Sequence, residues 1–88
     1  MRYHIYRIQF TNKSRDQFNS FSPKLKKQIG TKLEKIAHNP HMGKPLRGPL
    51  KGLISYRLGK LRIIYQIIKK EIVIIIVSIS LRKESYQI

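Results

Sequence analysis

The sequence predicts an α+β domain in the order β-α-α-β-β-β, a mainly antiparallel four-stranded sheet with a helical pair on one face. Three observations lead there. Apolar side chains alternate over residues 2–10, recur at helical spacing from Leu25 to Ala37, and form three short strand-like runs after residue 52.

In the first strand His4, Tyr6, Ile8 and Phe10 share one face by the two-residue period, opposite Arg7 and Gln9. His4 is accordingly expected as half-buried sheet packing. Thr11 to Ser14 carries turn and cap chemistry, which leads into a short helix at 15–21. Ser22-Pro23 reads as an N-cap followed by proline at the first helical position. Leu25, Ile29, Leu33, Ile36 and Ala37 then form one stripe of an amphipathic helix over 22–38, with lysines at 24, 26, 27, 32 and 35 around the rest. Asn39-Pro40 ends it, because a residue before proline is pushed out of the helical region.

Residues 40–52 hold three of the four prolines and three of the five glycines, and read as a loop. Strands follow at about 53–58, 61–67 and 71–79. Leu58-Gly59-Lys60-Leu61 has the glycine-first form of a type II′ hairpin, and Ile68-Lys69-Lys70-Glu71 marks a second turn. The strand 71–79 is apolar on both faces and belongs in the sheet interior. The expected core is Ile8, Leu33, Ile36, Ile63, Ile74 and Ile76. Residues 80–88 read as a polar tail, and the 88 residues as a single domain, 1–88.

Charge bounds the function. Nineteen Lys and Arg face four acids (Asp16, Glu34, Glu71 and Glu84), for a net charge of +15. Such a chain attracts polyanions: RNA, DNA, anionic lipid or an acidic protein. A chain without cysteine has no disulfide, thiolate metal site or cysteine nucleophile, and is expected in the cytoplasm. The longest apolar run, Ile72 to Val77, is far short of the roughly 20 residues of a bilayer helix, and Met-Arg-Tyr-His-Ile offers no signal-peptide core. No membrane role is expected.

The four acids lie in different elements, which argues against a carboxylate pair or a two-metal site. His38 and His41 flank Pro40 and could bind a metal or cleave RNA as an acid–base pair, but no further ligand is near in sequence, so a solvated loop is the better reading. No metal or cofactor is expected. What remains is basic: Arg57 and Arg62 on either side of one tight turn, Lys60 within it, Arg82 after the last strand, and Tyr86 four residues on. The bland reading is charge that solvates an exposed sheet face. Against it, two guanidiniums that meet across a hairpin repel each other unless an anion lies between them, and arginine's planar fork suits phosphate.

The segment Leu50 to Tyr65, LKGLISYRLGKLRIIY, resembles the core of the RelE/ParE toxins: a glycine, a short basic strand, a glycine hairpin, then Arg and two apolar residues before Tyr. Leu81 to Tyr86, LRKESY, is similar to that family's closing signature, and Asn39-Pro40 with Gly43-Lys44-Pro45-Leu46 is similar to its post-helix loop. The resemblance runs in order along nearly the whole chain. It implies the RelE-like fold and a cytoplasmic toxin, of the RelE mRNA-interferase branch, that inhibits translation by cleaving mRNA in the ribosomal A site, neutralised by a cognate acidic antitoxin. It further implies that Arg57 and Arg62 contact the scissile phosphate, that Arg82 adds charge, and that Tyr86 stacks on or orients a base. Lys51, Lys60 and Lys83 are the accompanying RNA-binding cations. Ser55 stands where many mRNA-cleaving relatives carry another basic residue, and Leu81 where several carry histidine. Lys51 or Lys60 is the sequence's candidate to replace the first of these.

The implied chemistry is attack of a ribose 2′-OH on the adjacent phosphate, leaving a 2′,3′-cyclic phosphate. Arginine keeps its proton and stabilises charge, so Tyr86 or a lysine is the candidate proton acceptor. Two other readings stand beside it: a gyrase inhibitor like ParE, which lacks the Arg–Tyr set, and a non-enzymatic RNA-binding module, which the interleaved Tyr3, Tyr6, Arg7, Tyr56 and Arg57 would also suit.

Overall fold

The computed structural model describes residues 4–81. The first strand, β1 (Arg7–Phe10), leads into helices α1 (Asn12–Ser20) and α2 (Pro23–His38). Strands β2 (Lys44–Pro45), β3 (Ile54–Leu58), β4 (Leu61–Ile68) and β5 (Val73–Leu81) follow, with 3-10 turns at Pro40–Met42 and Gly48–Leu50. They form one five-stranded sheet in the order β1-β5-β4-β3-β2, parallel between β1 and β5 and antiparallel elsewhere.

The class and element order match the sequence reading, and so does the interior place of the last strand: β5 lies between β1 and β4. Several details differ. Strand β1 begins at Arg7, so residues 4–6 of the expected strand lie outside it, and β5 starts two residues later than expected and takes in Ser80 and Leu81 of the expected tail. The sheet has five strands rather than four, because Lys44 and Pro45 pair with Ser55 and Ile54 inside the expected loop. Helix α1 begins three residues early, since Thr11 and Ser14 form a reciprocal capping box that satisfies two helix-end donors. His4 lies outside β1 and is exposed, whereas the next three residues of its supposed face, Tyr6, Ile8 and Phe10, do pack on the core.

Both α2 ends follow their chemistry. The Ser22 hydroxyl accepts from the Leu25 N–H, Pro23 needs no partner at the first position, and the chain leaves the helix at Asn39. Its stripe, with Ile29 and Ile36 fully buried, packs on Leu61, Ile63 and Tyr65 of β4 and Ile74, Ile76 and Ile79 of β5. The expected core residues are all here, with Ile8 at its margin.

A bulge decides what the two sheet faces carry. Tyr65 pairs with Ile76 and Ile64 with Ser78, so Val77 is an extra residue on β5. Strict alternation from Ile74 and Ile76 would have turned Ser78 and Ser80 toward the helices. The bulge instead sends Ile79 into the core and leaves Ser78 and Ser80 opposite Ile64 and Arg62. Beyond Phe10 there is no β1 left to pair with β5, and α1 with its N-cap substitutes: the Ile79 N–H donates to Gln17 Oε1 of α1 at 2.8 Å, and the N–H of the N-cap Thr11 to the Ile76 carbonyl at 3.3 Å. Gln17→Leu keeps the side chain's bulk but orphans the Ile79 N–H, and should cost about 1–3 kcal/mol in urea unfolding. An unchanged midpoint would mean that water serves that donor equally well.

Candidate functional site: a cationic cleft on the sheet face away from the helices

The hairpin between β3 and β4 turns through Gly59, whose φ of +59° is open to glycine at little cost. Lys60 is not in the left-handed region, as a type II′ turn requires. This turn fixes the register that places Arg57 directly opposite Arg62. Ile54, Tyr56 and Leu58 of β3 pack toward the helices, as do Leu61, Ile63 and Tyr65 of β4. By alternation Ser55, Arg57 and Arg62 therefore occupy the other face.

Two adjacent rows cross that face. One runs Arg57, Arg62, Ser80; the next runs Lys44, Ser55, Ile64, Ser78. Successive rows on one face lie about 7 Å apart. Lys44 is thus the diagonal neighbour of Arg57, within reach for a long side chain. Lys44, Pro45, Leu46, Arg47, Ser55, Arg57 and Arg62 enclose a cleft of about 520 Å³. Among the described residues, four of the seven that line it are cations and none is an acid. The described acids sit elsewhere: Asp16 on α1, Glu34 on α2 and Glu71 in the turn before β5.

The Lys44 side of the cleft is held from the core. The Tyr65 hydroxyl, on a fully buried ring, donates to the Pro40 carbonyl at 2.7 Å and lies so close to Gly43 that a Cβ there would come within 2.9 Å of it. Burial pushes its phenol above the usual value of 10.0, against the lowering effect of the Gly43 N–H. Leu46 N–H then bonds the Leu53 carbonyl at 2.9 Å, closing the loop that follows Lys44 and carries Arg47.

Of the residues singled out in the sequence, Arg57 and Arg62 meet here, the first exposed and the second half-buried. Lys51 and Lys60 do not line the cleft. Lys51 is exposed after the second 3-10 turn, and Lys60 borders an apolar groove with Phe21, Leu25, Leu58 and Leu81. Arg82, Lys83 and Tyr86 lie outside the described residues. Lys44 and Arg47 were missed, and only the pairing of Lys44 with Ser55 exposes their place. His38 is exposed and its Nδ1 lies 2.9 Å from the Glu34 carbonyl of its own helix. Among the described residues no three potential ligands gather around a metal position, and no helix is long and apolar enough to cross a membrane.

Comparison with known proteins agrees with this architecture. The toxin–antitoxin complex RelBE2 of Mycobacterium tuberculosis contains a chain that superposes with a TM-score of 0.84 at 25% identity, over 92% of this chain and 95% of that one. The E. coli RelBE toxin–antitoxin complex gives 0.77 at 21%, over 86% and 95%. A YoeB/ParE toxin from Agrobacterium tumefaciens gives 0.77 at 17%, over 86% and 98%. No curated protein matches in sequence. The family model for the ParE toxin of type II toxin–antitoxin systems matches residues 5–86, nearly the whole chain. The chain belongs to that family, as a RelE/ParE-superfamily toxin of the type II toxin–antitoxin kind.

Proposed function

We propose that this toxin is a metal-independent endoribonuclease that cleaves mRNA in the ribosomal A site and so inhibits translation. The observation that carries this reading is the gathering of Lys44, Arg47, Arg57 and Arg62 around one cleft on the sheet. When a 2′-OH loses its proton and attacks the adjacent phosphate, the P–O5′ bond breaks, and the 5′-oxygen of the next nucleotide leaves and takes up a proton. Negative charge builds on the phosphoryl oxygens on the way to the 2′,3′-cyclic phosphate. Cations fixed beforehand stabilise that charge without reorganising. Arg57 and Arg62 contact the phosphate, Arg82 adds charge, and Lys83 with the exposed Lys51 and Lys60 guides the strand. The same positive surface suits an acidic antitoxin that covers the cleft.

Tyr86 contributes chiefly as a ring that stacks on a base. Stacking contacts are worth about 1–3 kcal/mol per base. Tyr86→Phe should therefore keep most activity, while Tyr86→Ala loses about 10–100-fold, corresponding to that stacking energy. Equal losses in the two variants in a ribosome-programmed assay would instead make the hydroxyl the working group.

The ParE name of the matching family supports a second reading, gyrase inhibition. Mapping mRNA 5′ ends after brief induction, with and without active ribosomes, separates the two. Discrete ribosome-dependent ends are expected. Their absence, together with inhibited supercoiling by purified gyrase, would replace the nuclease with the gyrase inhibitor.

A further inference from the structure

We propose that Lys44 is the cation facing the reacting phosphate beside Ser55, and that Tyr65 is the positioning residue that holds it there; the phosphate's role rests on the nuclease reading above. Ser55 sits in the row next to Arg57 and Arg62, on the same face, and brings no charge to it. The neighbouring strand makes up the deficit. Lys44 is the direct cross-strand partner of Ser55, and both line the cleft. Side chains so paired have Cβ atoms about 5 Å apart, a distance that the length of a lysine side chain can span.

Strand β2 has little to hold it. It is two residues long, and its second residue, Pro45, has no N–H to donate. The Tyr65 hydroxyl supplies the missing restraint. It donates to the Pro40 carbonyl and sits hard against Gly43, so the turn that leads into Lys44 is tied to the sheet's central region. The phenol ring belongs to the helix-side core cluster, whereas the cleft opens on the other face. Tyr65 therefore acts through the loop and does not touch the phosphate.

The test uses the whole protein and a short 2′-O-methyl RNA oligonucleotide, which has no nucleophile and reports binding alone. Lys44→Ala should weaken binding and lower the slope of log affinity against log salt by about one counterion. Adding Ser55→Lys should restore both, since it returns the charge to the same patch. Tyr65→Phe should weaken binding in the wild type and have no further effect in Lys44→Ala, the non-additivity expected of residues acting through one contact. In ribosome-programmed cleavage Lys44→Ala should lose about 10²-fold in rate. Lys27→Ala, which removes the same charge from the exposed side of α2, should leave that rate unchanged. Circular dichroism and a thermal melt establish that each variant is folded.

An unchanged affinity and salt slope in Lys44→Ala, or no recovery with Ser55→Lys, overturns the assignment of Lys44. Equal effects of Tyr65→Phe with and without Lys44 remove the positioning role. A wild-type protein that cleaves no mRNA yet shows these binding changes would end the nuclease reading while the Lys44 assignment stands.

Discussion

Arg62→Ala is expected to reduce ribosome-dependent cleavage by about 10²–10³-fold while the protein stays folded. Arg62 is half-buried at the middle of the cationic row, with Arg57 across one strand boundary and Ser80 across the other. Both its neighbouring strands are paired along their length with β4, so the guanidinium enters the site with little conformational freedom left to lose. That is the condition under which an electrostatic contact is worth most in a transition state. Removing Arg62 also relieves repulsion from Arg57, which offsets part of what the sheet loses in packing by its aliphatic stem. Rate should thus fall far more than stability. The paired measurements are a cleavage rate at saturating ribosomes and a urea midpoint. A variant with full activity and an unchanged midpoint would return this row to solvated surface charge. Arg57→Ala should act in the same direction but more weakly, because its side chain is exposed and water screens it.

The elements most legible in the sequence were those whose signals are local. Ser22-Pro23 and the Leu25–Ala37 stripe fixed α2, and Gly59 fixed the hairpin that brings Arg57 to Arg62. Strand β2 was not legible, because two residues, one of them proline, show neither a two-residue period nor a full set of ladder donors. Lys44 and Arg47 were hidden with it. In sequence they are two among nineteen cations, and their meaning comes from pairing with a strand about ten residues further on. Lys51 and Lys60 lie nearer to Arg57 in sequence, yet neither lines the cleft. The bulge at Val77 was equally silent. Ile-Ile-Ile-Val-Ser-Ile-Ser fits either face, and the choice is made by where Ile79 can be buried and Gln17 can reach its N–H.

Gly43→Ala and Gly30→Ala should move stability in opposite directions. Gly30 lies within α2, and a methyl group built there meets nothing within 4 Å. Alanine at an open helical position stabilises by about 0.5–1 kcal/mol relative to glycine. At Gly43 the same methyl would sit 2.5 Å from Ile54 Cγ2, 2.8 Å from the Ser55 carbonyl oxygen and 2.9 Å from the Tyr65 hydroxyl. None of the three yields easily. The Ser55 oxygen is backbone in β3, Ile54 is β-branched and stiff, and the Tyr65 hydroxyl is held by Pro40. The loop must move away instead, at a cost of about 1–3 kcal/mol, or a fall in Tm of roughly 4–24 °C for a domain of this size. Moving the loop also draws Lys44 from its place opposite Ser55. Gly43→Ala should therefore cleave mRNA as poorly as Lys44→Ala even at temperatures where it is fully folded. Gly30→Ala should keep the wild-type rate with a raised Tm. A Gly43→Ala protein that melts and cleaves like the wild type would show that the close approach of this loop to β3 is not what holds the cleft together.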